Sequence, residues 1–141
     1  MIGRMHHVIF DCPDPAALAE FYSALLGHPV TYRRADFVVV ARDDHTSGLA
    51  FQRVPDHVPP AWPDPARSQQ VHLDVMVDDL AGADPLVQAL GARPLGRHRA
   101  RRSADPAHEP GYWVYADPAG HPFCLVPRPS WAEPVGGPTG R

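Results

Sequence analysis

The chain has 141 residues, 44% hydrophobic and 21% charged, with a formal net charge of −3, a balance that fits one globular domain and excludes a disordered chain. No apolar run approaches the ~20 residues that cross a bilayer, and the mild acidity excludes a nucleic-acid surface, with Arg97 to Arg102 (RHRARR) read as a solvated strand end. All 13 basic residues are arginine, which excludes a P-loop, a Schiff-base lysine and a lysine general base.

The opening MIGRMHHVIF passes straight into strand-like sequence, without the apolar core of a secretory leader. A cytoplasmic protein is therefore expected. Two cysteines, Cys12 and Cys124, are too few for a disulfide scaffold at this length.

In HVIFDC (7–12), His7, Ile9 and Asp11 alternate with Val8, Phe10 and Cys12, the period of a strand. Asp14-Pro15 then supplies a helix cap and a first-turn proline. Leu18, Phe21, Tyr22, Leu25 and Leu26 form one helical stripe that Gly27 ends. Three short apolar segments follow, PVTYRR, DFVVVAR and GLAFQRVP, separated by turn residues. They predict an antiparallel meander and hence a βαβββ module over 5–55.

Residues 55–69, PDHVPPAWPDPARSQ, hold five prolines. That density removes ladder donors and stiffens the chain, so 56–69 reads as a linker. Trp62 within it is read as a lid or a simple hydrophobic staple.

The second module, 70–127, repeats the order. VHLDVMV is a strand. DDLAGADPLVQALG carries a stripe of Leu80, Ala83, Leu86, Val87 and Leu90, in which Pro85 is expected to kink or restart the helix. Strands are predicted in ARPLGRHRAR, GYWVYA and HPFCLVP, with RSADPAHEP as a loop and 128–141 as a frayed tail.

The two halves match. His7, Asp14, Pro29 and Val30 correspond to His72, Asp79, Pro94 and Leu95 at an offset of 65, and GLAFQRVP corresponds to GHPFCLVP at an offset of 72. A tandem repeat follows. The fold class is α+β: two βαβββ modules whose strands form a curved mixed sheet around a cavity, with the helices on the outer face. Val8, Phe10, Leu49, Phe51, Leu73, Val75, Val77, Phe123 and Leu125 should face the helices. The other face should carry His7, Ile9, Ala50, Gln52, His72, Asp74, Met76, Cys124 and Val126, a mixture suited to a pocket.

HHVIFDCPDPAALAEFYSALLG, VHLDVMVDDL and ADPAGHPFCLV resemble the vicinal-oxygen-chelate superfamily, which includes glyoxalases, bleomycin-resistance proteins and extradiol dioxygenases. The likeness spans roughly residues 5–127 and is nearest the bacterial glyoxalase-like domain proteins. It implies metal ligands on the first and last strands of each half. By position these are His7, His72, Gln52 and Cys124; a shift in alignment puts Ala50 in place of Gln52. The family's usual glutamate is absent there.

Two imidazoles, a thiolate and an amide oxygen would suit Zn²⁺, whereas Ni²⁺ or Fe²⁺ would call for a carboxylate such as Asp74 or Asp11. The other reading is a pocket without metal, in which Cys124 is a small buried hydrophobe. If protons move, His7, His72 and Asp74 are the candidate catalytic groups. Gln52, Met76, Trp113 and Cys124 are candidate ligand-binding residues, with Trp113 and Tyr115 read either as mouth residues or as core. His6 is assigned to the face opposite His7, and His121 to a solvated turn. No serine has a nucleophile-elbow context.

The functions implied are a lyase, isomerase or oxygenase acting on a small oxygenated molecule, or a non-catalytic protein that sequesters one. The resemblance also implies a homodimer.

Overall fold

The computed structural model describes residues 1–98 and 111–136. The end of the arginine run, the RSADPAHEP loop and the last five residues of the tail lie outside the described residues. The chain divides into two compact units, Met1–Pro59 and Pro60–Arg141, and each is an α+β module.

Unit 1 runs β1 (His7–Cys12), α1 (Pro15–Leu26), β2 (Val30–Arg33), β3 (Phe37–Val40) and β4 (Gly48–Arg53). Its sheet has the order β1-β4-β3-β2. β1 lies parallel to β4, and the other pairs are antiparallel. The carboxylate of Asp14 accepts the Ala16 and Ala17 amides at 3.0 and 3.1 Å, so the cap satisfies two donors left over by the first turn. Gly27 closes the helix at φ 67°, a conformation glycine adopts without strain. α1 buries Pro15, Leu18, Ala19, Phe21 and Tyr22. Tyr22 stacks on Phe10 and Phe51 at 5.9 and 5.3 Å, which fixes the sheet face that carries the helix.

Unit 2 opens with a 3-10 turn, Pro65–Arg67. It continues with β5 (Leu73–Val77), α2 (Leu80–Ala89), β6 (Arg93–His98), β7 (Tyr112–Ala116) and β8 (Pro122–Pro127), in the sheet order β5-β8-β7-β6. Asp79 caps α2 as Asp14 caps α1. Of the two outcomes expected at Pro85, a restart does not occur: α2 is one helix that passes through the proline. Asp84, just before the proline, ties this turn to the sheet: its carboxylate accepts the Tyr115 hydroxyl at 2.7 Å, Arg97 at 2.8 Å and Gln88 at 2.8 Å.

Of the expected stripe on α2 only Val87 is buried, while Leu86 is 69% exposed. The tail does not leave the sheet at once. Arg128 donates its amide to Val77 at 2.9 Å, and its guanidinium bonds Asp78 and the Ala132 carbonyl. Among the described residues, no helix is long and apolar enough to cross a membrane.

Strand register assigns the faces. Phe10, Phe51 and Val38 stand side by side under α1, while Ile9, Ala50 and Val39 stand side by side on the opposite, open face. In unit 2, Val75, Leu125 and Trp113 share the α2 face, and Asp74, Cys124 and Val114 share the open one.

Candidate functional site

The open face of unit 1 carries a cleft of about 880 Å³. Its floor is apolar: Ile9, Phe37 and Val39, backed by the fully buried Ala50. Its walls come from His6, His7, Tyr32 and the loop Asp43–Ser47. That loop is braced internally, since the Asp43 carboxylate accepts the Thr46 hydroxyl at 2.5 Å and the His45 amide at 2.9 Å. Those two bonds, Thr46 first, hold the Asp43 carboxyl below the usual carboxylate range.

His7 has a defined orientation. Its Nδ1 accepts the Gly48 amide at 3.2 Å, so the neutral ring carries its proton on Nε2 and offers a donor there. Burial, and then the like charge of neighbouring His6, push its pKa down. Gly48 cannot be replaced without cost, because a Cβ there would stand 2.2 Å from the Val40 carbonyl oxygen. His6 departs from the expected opposite face. It precedes β1, where alternation begins, and its ring stacks on His7 at 3.9 Å. Tyr32, Phe37 and His45 were not singled out in the sequence. Strand alternation would have placed the first two, whereas a histidine in a turn gives no such signal.

Unit 2 gathers a different group. Asp74 faces Cys124 across the β5–β8 pair, and His72 Nε2 lies 3.4 Å from Asp74 Oδ1. The three side chains offer ligand atoms that all lie within 4.8 Å of one another. Burial, followed by the charge of Asp74 and a hydrogen bond to it, pushes the Cys124 thiol up to about 12. At neutral pH it is therefore an S–H donor rather than a thiolate. Met76 continues this face, 41% exposed and opposite Val126.

Other expected site residues stand elsewhere. Trp113 pairs with Leu125 on the α2 face, where the Arg97 guanidinium lies 4.0 Å over its ring. Tyr115 is on the same face, bonded to Asp84. Neither shares a face with Cys124, because Val114 holds the intervening parity. His121 is not solvated: only 13% of its side chain is exposed, and Nδ1 lies 2.8 Å from the buried Asp117 carboxylate, which also accepts two amides of the turn.

The ligand set His7, Gln52, His72 and Cys124 does not fit a metal cage. Within unit 1, His7 pairs with Gly48, whereas Gln52 pairs with Asp11, four residues farther along the strands and so roughly 13 Å away. Measured by the parallel pairs, with Ile9 opposite Ala50 and Asp74 opposite Cys124, the counterpart of Cys124 is Ala50, a side chain with no ligand atom. His7 also has Nδ1 engaged by a backbone amide.

The sequence model of the glyoxalase-like domain matches residues 7–126. The chain belongs to that family. The glyoxalase-like chain is a member of the vicinal-oxygen-chelate superfamily, and solved structures share its fold. A glyoxalase/bleomycin resistance protein/dioxygenase family enzyme from Burkholderia phytofirmans PsJN is similar at a TM-score of 0.62 and 16% identity, covering 89% of this chain and 98% of that one. A glyoxalase-related enzyme from Fulvimarina pelagi gives 0.60 and 20%, over 91% and 90% of the two chains. A fosfomycin resistance protein from Mesorhizobium loti gives 0.59 and 12%, over 93% and 96%. No curated protein matches the chain.

Proposed function

We propose that this glyoxalase-like chain binds a small oxygenated organic molecule on the open face of unit 1. The cleft itself carries this reading: about 880 Å³ falls in the range of small-molecule sites, which combine apolar walls with a few placed polar groups. Ile9, Val39 and Phe37 suit a flat apolar body. The Nε2 donor of His7 and the hydroxyl of Tyr32 suit oxygens at its edge, and the Thr46 oxygen, its proton given to Asp43, suits a ligand hydroxyl that donates.

Thermal unfolding of the full chain against a panel of phenols, catechols and hydroxy acids tests this, with product analysis by mass spectrometry. A ligand present at 100 times its Kd should stabilise the protein by roughly 2.7 kcal/mol, and His7→Ala and Tyr32→Ala should remove the stabilisation. Stabilisation that survives both substitutions would place the ligand elsewhere.

A second reading, an enzyme of the lyase, isomerase or oxygenase type, is supported by the imidazole and carboxylate of His72 and Asp74, 3.4 Å apart, a usable acid–base pair. Product formed by the wild type but not by His72→Ala or Asp74→Asn would favour it. A bound compound recovered unchanged favours sequestration.

A further inference from the structure

We infer that the unit 1 cleft takes its ligand as an aromatic carboxylate, held by the Arg4 guanidinium and by the Nε2–H of His7. The inference rests on the cleft reading above and adds a charge to its ligand. The donors carry it. The Gly48 amide donates to His7 Nδ1 at 3.2 Å, and a proton on that nitrogen would meet the amide N–H. The ring is therefore held neutral with its one proton on Nε2, an atom that can donate and cannot accept. Arg4, also donor-only, lines the same cleft and has no ion-pair partner among the described residues. The chain is tied down one residue on, where the Met5 carbonyl accepts the Ser47 hydroxyl at 2.6 Å. Two groups without acceptor capacity match a carboxylate, which only accepts. A neutral phenol or alcohol brings a proton that neither can take.

The acidic groups of the cleft leave room for that charge. Asp43 is satisfied by the Thr46 hydroxyl, the His45 amide and Arg42 Nε at 3.5 Å. Asp44, the other carboxylate among the lining residues, is exposed on the loop, where solvent and salt weaken its repulsion of an anion. The imidazoles of His6 and His45 also line the cleft and add no negative charge. The aromatic part of the ligand follows from the remaining surface. His6 and His7 stack at 3.9 Å, and Tyr32 and Phe37 meet edge to face at 6.4 Å. Both pairs line the cleft together with the Ile9 and Val39 floor, a surface suited to a flat ring.

The probes are para-hydroxybenzoate and its methyl ester, which share ring and hydroxyl and differ in charge, each titrated into the full chain by calorimetry at neutral pH. The acid should bind at least ~10-fold more tightly than the ester, the ratio expected for hydrogen bonds to a charged group. Arg4→Gln, a change at an exposed residue, should remove most of that preference and leave ester binding unchanged. Asp44→Asn should tighten the acid about 2- to 5-fold, the scale of an exposed charge pair, again without effect on the ester. Long-range proton–nitrogen NMR of the His7 ring should show the Nε2–H tautomer, with that proton moving downfield as the acid is added. Equal binding of acid and ester, both lost in Tyr32→Ala, would overturn this inference and leave the cleft reading intact. Acid binding indifferent to Arg4→Gln, or a His7 proton found on Nδ1, would overturn it as well. Binding of neither probe also overturns it, and the cleft reading then stands or falls on the wider ligand panel.

Discussion

Gly48 shows how one residue serves both backbone and site. Its amide orients His7, and its missing side chain admits the Val40 carbonyl. In Gly48→Ala the new carbon would also press on the Ala41 Cα at 2.9 Å. Backbone atoms cannot swing aside as a side chain can. Overpacking of this kind costs roughly 1–3 kcal/mol, and urea unfolding should register at least the middle of that range.

His7 offers a pH test. Its folded pKa is lowered by burial and by His6, below the ordinary ~6.5. The unfolded chain therefore binds the proton first. The stability contribution is intact above ~6.5 and declines as pH falls from there to the lowered folded value. NMR titration of the ring protons should place the His7 midpoint below 6.5, and His6→Gln should move it upward. A midpoint at or above the ordinary value contradicts this assignment.

At the scale of elements, the two helices share cap chemistry but differ in how they are held. α1 is anchored by burial. α2 buries only Val87 and depends on Asp84, whose carboxyl is kept low by the Tyr115 hydroxyl first, then by Gln88 and Arg97. Tyr115→Phe removes that hydroxyl without changing ring packing against Phe123 at 5.7 Å. Hydrogen bonds to charged groups contribute roughly 1.5–3 kcal/mol, so denaturant melts should show a loss in that range. A change below ~0.5 kcal/mol would mean that α2 is held by something other than Asp84.

The α+β module of each unit was readable because its signals are local: Asp14-Pro15 and Gly27 bracket α1, and alternation in HVIFDC and LDVMV marks the strands. The site was only partly readable, for a reason also visible at this scale. The repeat offset of 72 between GLAFQRVP and GHPFCLVP follows turn chemistry, whereas the ladders match Ala50, not Gln52, to Cys124. A slip of two residues leaves every side chain on its original face, so patterning cannot detect it. Stability should be uneven across the molecule as well. Hydrogen exchange should find the α1 amides slower than those of α2, since local opening follows buried contact. Equal protection of both helices would show that α2 is covered more fully than its exposure indicates.

In each unit the strand made first lies parallel to the strand made last, β1 with β4 and β5 with β8. During synthesis His7 leaves the ribosome 41 residues ahead of its ladder neighbour Gly48. A nascent chain halted before Arg53 thus exposes an incompletely paired β1, the kind of open edge that holding chaperones shield and that aggregates form upon. Slow translation between Val30 and Arg53 would lengthen that exposure, and the same vulnerability recurs when unit 2 awaits β8.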